Sequence, residues 1–269
     1  MRLTVLGSGS RGNAVLVESG NAALLIDAGF HLKELAGRLE RAGCATDRIQ
    51  GIALTHEHGD HCRGVARASR TWGIPVAASA GTLAAVGVHL HESTTRMPLF
   101  PARPMLMGSW RLTAFPTAHD AREPVMLIVE DPDGRRLGVA YDVGSPTAAL
   151  RHAFRGLDAL IIESNHDEVL LRSSDYPPSV RARIAGRAGH LSNNEAARLI
   201  SDVAHPGLAV VVLAHLSEHC NMPTLALETT KAALRGTAFS GIVVVATQDQ
   251  PTDSFDVGAS LQQLVLPLR

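Results

Sequence analysis

The chain has 269 residues, of which 45% are hydrophobic and 19% are charged, and its formal net charge is −1. This composition is ordinary for a globular protein of one large or two small domains, and the neutral balance excludes a whole-molecule basic field for nucleic acid. The sequence has no apolar stretch of membrane-spanning length and no signal-peptide pattern, so we expect a cytoplasmic protein with no membrane partner. Three scattered cysteines argue against a disulfide framework.

Apolar runs and turn residues predict a strand-rich first part of the chain. The predicted strands cover residues 3–6, 14–17, 22–26 and 52–54. Apolar residues at helical spacing predict a helix over 31–42, which Gly43 ends, and a second helix from Asp60 to Trp72.

After residue 72 the sequence first predicts further strands, and strands and helices then alternate toward the end of the chain. The predicted strands are 75–78, 111–115, 125–130, 137–141, 159–162, 208–213 and 242–245, and the predicted helices are 177–187, 193–203 and 224–234. The two halves of this order are similar, which indicates two sheets packed face to face with helices outside. We expect a single catalytic domain over 1–248 and a tail over 249–269, in which 261–268 is a strand or a loose end.

The heptapeptide Thr-His-Glu-His-Gly-Asp-His at 55–61 is the most informative feature for function. It places four metal-ligating side chains directly after an apolar strand: His56, His58, Asp60 and His61. Imidazole and carboxylate suit zinc and similar divalent ions. The alternative is a polar turn that happens to hold three histidines, but so many polar groups are hard to explain by packing.

Four polar residues downstream also lie next to predicted strands or helices: His119, Asp142, His190 and His215. Taken singly, each histidine could be an ordinary hydrogen-bonded group, and Asp142 could cap a helix. Their recurrence in order behind the heptapeptide favours one shared site.

Residues 54–61 resemble the signature of the metallo-β-lactamase fold superfamily, and the order His119, Asp142, His215 matches its further metal motifs. Residues 25–29 resemble its first motif, whose aspartate supports the site without binding metal. The resemblance spans roughly residues 3–245. It implies an α/β fold, a four-layer αβ/βα sandwich with two packed mixed sheets and outer helices.

Several segments resemble one branch of this superfamily, the WalJ/YycJ group. That group is related to ribonuclease Z and is regarded as containing DNA exonucleases. The segments are 6–13, 119–121, 163–167, 189–193 and 214–217. The chain departs from the pattern of the group at 219–221, where two successive asparagines are expected, and at 124–126, where a glycine commonly follows the proline.

Carried over residue by residue, the resemblance implies two divalent metal ions, Zn²⁺ or Mn²⁺. The implied ligands are His56, His58 and His119 at one ion and Asp60, His61 and His215 at the other, with Asp142 bridging. The two ions would share a hydroxide that attacks a phosphodiester. Asp60 and His190 are the predicted catalytic residues, and His190 would assist the leaving group and stabilise charge on the phosphate.

Other features near the predicted site have open roles. Glu163 could orient a histidine of the site, or it could be a helix-capping or solvated carboxylate. The loop over 7–13 could present N–H groups to phosphate, but a tight hairpin is the expected role. Cys62 and Cys220 are expected to be small packing residues and not ligands.

The resemblance leads first to a dinuclear-metal-dependent phosphodiesterase that hydrolyses nucleic acid, and in particular to a DNA exonuclease. A second hypothesis is a metallo-hydrolase of small esters, thioesters or lactones, which needs the same metals but no histidine at position 190. A third, a di-iron redox protein, is disfavoured because a carboxylate typically replaces the histidine at position 58 there. DNA against RNA, polarity, native metal and oligomeric state, a homodimer included, stay open.

Overall fold

Two mixed β-sheets form the centre of the fold in the computed structural model, which describes residues 1–258. Within these residues each sheet has seven strands. The first sheet has the order β14-β1-β2-β3-β4-β5-β6, with β1 (Arg2–Gly7), β2 (Ala14–Ser19), β3 (Ala22–Ile26), β4 (Ile49–Ala53), β5 (Val76–Ser79), β6 (Arg96–Leu99) and β14 (Phe255–Asp256). The second has the order β13-β12-β11-β10-β9-β8-β7, with β7 (Met105–Met107), β8 (Trp110–Pro116), β9 (Val125–Glu130), β10 (Arg136–Ala140), β11 (Ala159–Glu163), β12 (Val210–Ala214) and β13 (Ile242–Val245).

The two sheets share one pattern of strand pairing. In the first, β1, β2 and β3 pair antiparallel, and β3 to β6 then pair parallel. In the second, β7 to β10 pair antiparallel, and β10 to β13 then pair parallel. The prediction of two similar halves is therefore confirmed.

Helices cover the outer face of each sheet. Those against the first sheet are α1 (Leu32–Arg41), α3 (Val65–Trp72) and α4 (Ala80–Val86), and those against the second are α5 (Ala148–Ala153), α8 (Asn193–Val203) and α9 (Pro223–Leu234). Three short helices lie in connecting segments: α2 (Gly59–Cys62), α6 (Glu168–Ser173) and α7 (Pro178–Ile184). No helix within residues 1–258 has both the length and the apolar character needed to cross a membrane.

Side-chain alternation along the strands divides the apolar residues between three cores. In β2, Val15 and Val17 face the core between the sheets, and Leu16 faces the core under the helices of the first sheet. Leu199 of α8 belongs to the third core, against the second sheet. Successive residues of a strand point to opposite faces, so a strand buried on both faces is apolar throughout. The predicted four-layer sandwich is confirmed.

Most predicted elements are present, with ends that differ by up to three residues. The helix over 193–203 and the strands over 22–26, 125–130 and 242–245 have the predicted bounds. Seven elements of the described residues were not predicted: α4, α5, α6, β6, β7, β14 and a 3₁₀ helix over Thr46–Arg48. The predicted segment 261–268 lies outside the described residues, and the domain boundary at residue 248 stays a prediction.

The prediction of one helix from Asp60 to Trp72 is wrong, because the chain leaves the helix at Gly64. The Gly64 N–H donates to Ala28 O at 2.8 Å, outside the helix. A Cβ on Gly64 would lie 2.1 Å from Phe30 O. This close approach pins the short α2 against the chain that follows β3, and it needs a residue without a side chain.

We expect Gly64→Ala to lower the free energy of unfolding by about 1–3 kcal/mol, because the new methyl group meets backbone that cannot move aside. The matched control is Gly37→Ala in α1, where a Cβ would meet nothing within 4 Å. Removing a helix-interior glycine there should raise the free energy of unfolding by about 0.5–1 kcal/mol. Equilibrium urea unfolding at one fixed metal concentration measures both. Equal effects of the two substitutions would contradict the proposed close approach.

Candidate metal centre

The structure brings all seven predicted ligands together at one edge of the sandwich. Four follow β4, namely His56, His58, Asp60 and His61, and the others are His119 after β8, Asp142 after β10 and His215 after β12. A pocket of about 300 Å³ opens there. Its lining includes the predicted catalytic residues and several neighbours, which are Ser10, His58, Asp60, His119, Asp120, Asp142, Arg183, Ile184, Gly189, His190 and His215.

Three residues of this edge have an unusual backbone conformation. Asp27, Asp142 and His215 have φ values of 60°, 52° and 54°, in the left-handed region that side chains other than glycine rarely adopt. Asp27 follows the last residue of β3, and His215 follows the last residue of β12. Such strain costs about 1–3 kcal/mol per residue and persists only where the surroundings fix it. Here it turns the chain sharply at strand ends.

Among the described residues, four clusters of ligand atoms converge, and two of them match the ligand sets that the resemblance implies; the other two are His56, His61 and Asp142, and Asp142, Glu163, His190 and His215. In the His58 group, which we define as His56, His58 and His119, the ring nitrogens lie within 4.8 Å of one another. In the Asp60 group, defined as Asp60, His61 and His215, the ligand atoms meet the same limit. Oδ2 of Asp60 lies 3.4 Å from Nε2 of His61 and 3.4 Å from Nε2 of His215.

Asp142 lies between the two groups. Its Oδ2 is 3.2 Å from Nε2 of His56 and 3.0 Å from Nε2 of His61. Its Oδ1 is 3.0 Å from Nδ1 of His215. One carboxylate thus contacts residues of both groups, which is the placement that a bridging ligand needs.

The donor atoms fit a divalent cation. The buried atoms of residues 1–258 that lack a geometrically satisfactory hydrogen bond within the protein include three ligand atoms of this site: Nε2 of His56, Oδ1 of Asp142 and Nδ1 of His215. A buried polar atom without a partner costs about 1–3 kcal/mol. Nitrogen and carboxylate oxygen are the ligands that zinc and similar ions prefer. A cation among these atoms would remove that cost.

Burial and neighbouring charges shift the pKa values of residues at the site. Burial alone would lower the pKa of His61, but the carboxylates of Asp27 and Asp142 more than offset it, so the pKa lies well above its ordinary value. Burial opposes the charge of Asp142, yet His215 and His61 hold its pKa well below the usual range. Burial, followed by the influence of His61, holds the pKa of His56 well below its ordinary value. His56 is therefore neutral, as a metal-ligating imidazole must be.

His190 is held from one edge of its ring. Its Nδ1 lies 3.0 Å from Oε2 of Glu163 and 3.0 Å from Oδ1 of Asp142. Burial alone would lower the pKa of His190, but hydrogen bonds to these two carboxylates raise it to about 10. Glu163 is fully buried and also accepts a hydrogen bond from Leu191 N at 3.0 Å. Of the two roles left open for Glu163, its contacts favour orienting a histidine.

Sequence reasoning missed two polar side chains of the 7–13 loop. This loop joins the antiparallel strands β1 and β2 as a hairpin, as expected. In addition, the Ser8 Oγ accepts a hydrogen bond from His215 N at 2.8 Å, and Asn13 Nδ2 lies 3.2 Å from Nε2 of His61. In the sequence, a serine and an asparagine between glycines indicate only a turn. Cys62 packs against the core under the helices of the first sheet, and Cys220 is buried.

Residues 23–216 match the family model of the β-lactamase superfamily domain. The chain is similar to exodeoxyribonuclease YycJ of Bacillus anthracis, with 32% identity over 89% of this chain and 91% of that protein. It is also similar to exodeoxyribonuclease WalJ of Streptococcus pneumoniae serotype 2, with 28% identity over 84% and 85% of the two chains.

The fold is shared with a solved structure, the metallo-β-lactamase fold protein YhfI from Bacillus subtilis. The TM-score is 0.71 at 19% identity, and the match covers 93% of this chain and 98% of that chain. The resemblance to the WalJ/YycJ group is thus confirmed at the level of sequence, and the architecture is confirmed at the level of structure. The chain belongs to the metallo-β-lactamase fold superfamily of metal-dependent hydrolases.

Proposed function

We propose that this protein is a dinuclear-metal-dependent phosphodiesterase that hydrolyses nucleic acid, and specifically a DNA exonuclease. The observation that carries the proposal is the placement of His190 on the pocket wall, beside both groups of metal-ligating residues. A hydrolase of small esters has no need of a histidine there. The names of the two similar proteins, both exodeoxyribonucleases, support DNA as the substrate.

Two groups of residues would hold the metal ions, which we propose to be Zn²⁺ or Mn²⁺. These are the His58 group and the Asp60 group, with Asp142 between them. When bound, such ions polarise a phosphoryl oxygen and lower the pKa of water. Asp142, fully charged and in contact with both groups, keeps the ligands of the two groups in a fixed relation.

The role of His190 follows from its hydrogen bonds. Because Glu163 and Asp142 both contact Nδ1, the opposite edge of the ring, which carries Nε2, is left to the pocket. With Nδ1 protonated toward the carboxylates, a second proton on Nε2 can stabilise charge on the phosphate and pass to the leaving oxygen. Glu163 is a positioning residue in this scheme, since it acts only through His190.

Asp60 is the second proposed catalytic residue. Its carboxylate lines the pocket and is partly exposed, unlike the buried carboxylate of Asp142. Burial opposes its charge, but hydrogen bonds from His215 and His61 hold the pKa of Asp60 below its ordinary range. An ionised carboxylate there can accept a hydrogen bond from the attacking water and orient it.

The pocket lining favours a phosphodiester over a small carboxyl ester. Among the described lining residues, Ile184 is the one large apolar side chain, so an acyl group finds little to pack against. Arg183 at the rim is 71% exposed and can contact a phosphate of the strand. A pocket lined mostly by polar side chains is suited to the end of a nucleic-acid strand.

Purified protein of known metal content should shorten end-labelled DNA stepwise in Mn²⁺ or Zn²⁺. The same preparation should leave p-nitrophenyl acetate, a thioester and a lactone unchanged, because the pocket lacks an apolar wall for their acyl groups. Single- and double-stranded DNA and RNA, each labelled at either end, establish the substrate and the polarity. Cleavage of a carboxyl ester without cleavage of any nucleic acid would overturn the proposal in favour of a small-molecule hydrolase.

His190→Ala should lower kcat on a phosphodiester by about 10²–10⁴-fold, because the proton donor for the leaving oxygen is lost. Metal content, measured by elemental analysis, should stay at the wild-type value, since His190 is in neither ligand group as proposed. The matched control is His152→Ala, which removes an exposed histidine of α5 and should keep wild-type turnover. An unchanged kcat in His190→Ala at full metal content would remove His190 from the mechanism.

A further inference from the structure

The side chain of Asn13 is completely buried beside the metal-ligating residues, and its amide has one fixed orientation. Its carbonyl oxygen accepts hydrogen bonds from Ser8 Oγ at 2.8 Å and from Gly9 N at 2.9 Å. Its Nδ2 donates to Gly9 O at 3.1 Å. Rotating the amide by 180° would place Nδ2 against the Gly9 N–H, so these contacts determine where the second N–H of the amide points.

That second N–H points at the Asp60 group. Nδ2 of Asn13 lies 3.3 Å from Oδ2 of Asp60 and 3.2 Å from Nε2 of His61. Nδ1 of His61 is 2.7 Å from Asp27, so in the neutral imidazole that a metal needs, this edge would keep the ring proton and Nε2 would present its lone pair. If a metal takes that lone pair, the N–H of Asn13 keeps Oδ2 of Asp60 as its acceptor. It then fixes which way the carboxylate faces.

Ser8 extends the contact to the third residue of the group. Its Oγ donates to Asn13 Oδ1 and accepts from His215 N, at 2.8 Å in each case. The backbone of Asn13 also donates to Asp60 O at 2.7 Å. One hydrogen-bonded chain of Asn13 and Ser8 therefore reaches Asp60, His61 and His215.

The His58 group is held by other contacts. The loop that carries His119 is fastened to the heptapeptide by Glu57, whose Oε1 accepts from Arg122 N at 2.7 Å. The His119 Nδ1 lies 3.2 Å from Gly189 O. Asn13 has no hydrogen bond to His56, His58 or His119 among the described residues.

We propose that Asn13 is a positioning residue that sets the metal affinity of the Asp60 group and not that of the His58 group. The inference rests on the proposed metal site, but it is independent of the substrate. Residues that orient metal ligands typically contribute about 10–100-fold to metal affinity. Because the contacts of Asn13 reach only the Asp60 group, a substitution of Asn13 changes the metal affinity of that group and not that of the His58 group.

The test measures the two Zn²⁺ dissociation constants of the full chain by competition with a chromophoric chelator, without substrate. In Asn13→Ala we expect one constant to rise about 10–100-fold and the other to stay within about twofold of wild type. Asn13→Asp keeps the acceptor for Ser8 and Gly9 but sets a carboxylate oxygen against Oδ2 of Asp60. Asn13→Asp should raise the same dissociation constant at least as much. If Asn13→Ala fails to fold, Asn13→Asp decides the matter.

A second mutant shows in which of the two groups the Zn²⁺ dissociation constant has risen. His58→Ala leaves the Asp60 group as the remaining complete set, so adding Asn13→Ala should weaken the Zn²⁺ that His58→Ala retains. The matched control is Asn221→Ala, which removes another buried asparagine whose Nδ2 donates to Ser164 O at 2.7 Å and to Asn193. It should leave both constants at wild-type values even if it lowers the thermal stability.

Cobalt substitution gives a further readout, because the visible spectrum of Co²⁺ reports the geometry of its ligands. Asn13→Asp should alter the absorption bands of one of the two bound Co²⁺ ions and leave the bands of the other unchanged. Wild-type values of both constants in Asn13→Asp would overturn the proposal, as would equal weakening of both constants. Failure of the nuclease assay with normal metal binding would count against the proposed function alone.

Discussion

The buried carboxylate of Asp27 accepts three hydrogen bonds from the segment that carries the candidate ligands, from Thr55 N and Oγ1 at 2.8 Å each and from His61 Nδ1 at 2.7 Å. These bonds fix the start of the heptapeptide and the tautomer of His61, so Nε2 faces the site. A Cβ on Gly29 would lie 1.7 Å from Asp60 O, which shows how closely the two segments pack. The rest of the site is built outward from this contact.

The repeated order of strands explains why ligands from distant parts of the sequence meet. In each sheet, antiparallel strands lead into parallel ones, and parallel strands end at the same edge. Asp27 follows β3, while Asp142 and His215 follow β10 and β12, which lie on either side of β11 in the second sheet, and all three adopt the left-handed conformation. The strain of these turns is offset by three apolar cores that fix both sheets.

Long helices and strands could be predicted because the residues that define them lie close together in the sequence. Helix α8 has a capping box of Ser192 and Glu195 and a complete apolar face, so its bounds are those expected. Strand β6 could not be predicted, because two of its four residues are exposed and one of these is a proline. The candidate ligands were recognisable by residue type, whereas Asn13 and Ser8 were not. Their role depends on contacts with Asp60 and His215, which lie 47 and 207 residues away.

The charges of the site also bear on how an anionic substrate could bind. The carboxylates that attract metal ions (Asp27, Asp60, Asp142 and Glu163) would repel a phosphodiester, and the chain as a whole has a net charge of −1. Under the proposed function, attraction would come from bound cations and from positive groups at the pocket such as Arg183 and His190, whose pKa is raised to about 10. Under this function, metal occupancy would control substrate affinity as well as chemistry. Such a site would select a phosphodiester through its metals without an extended basic surface.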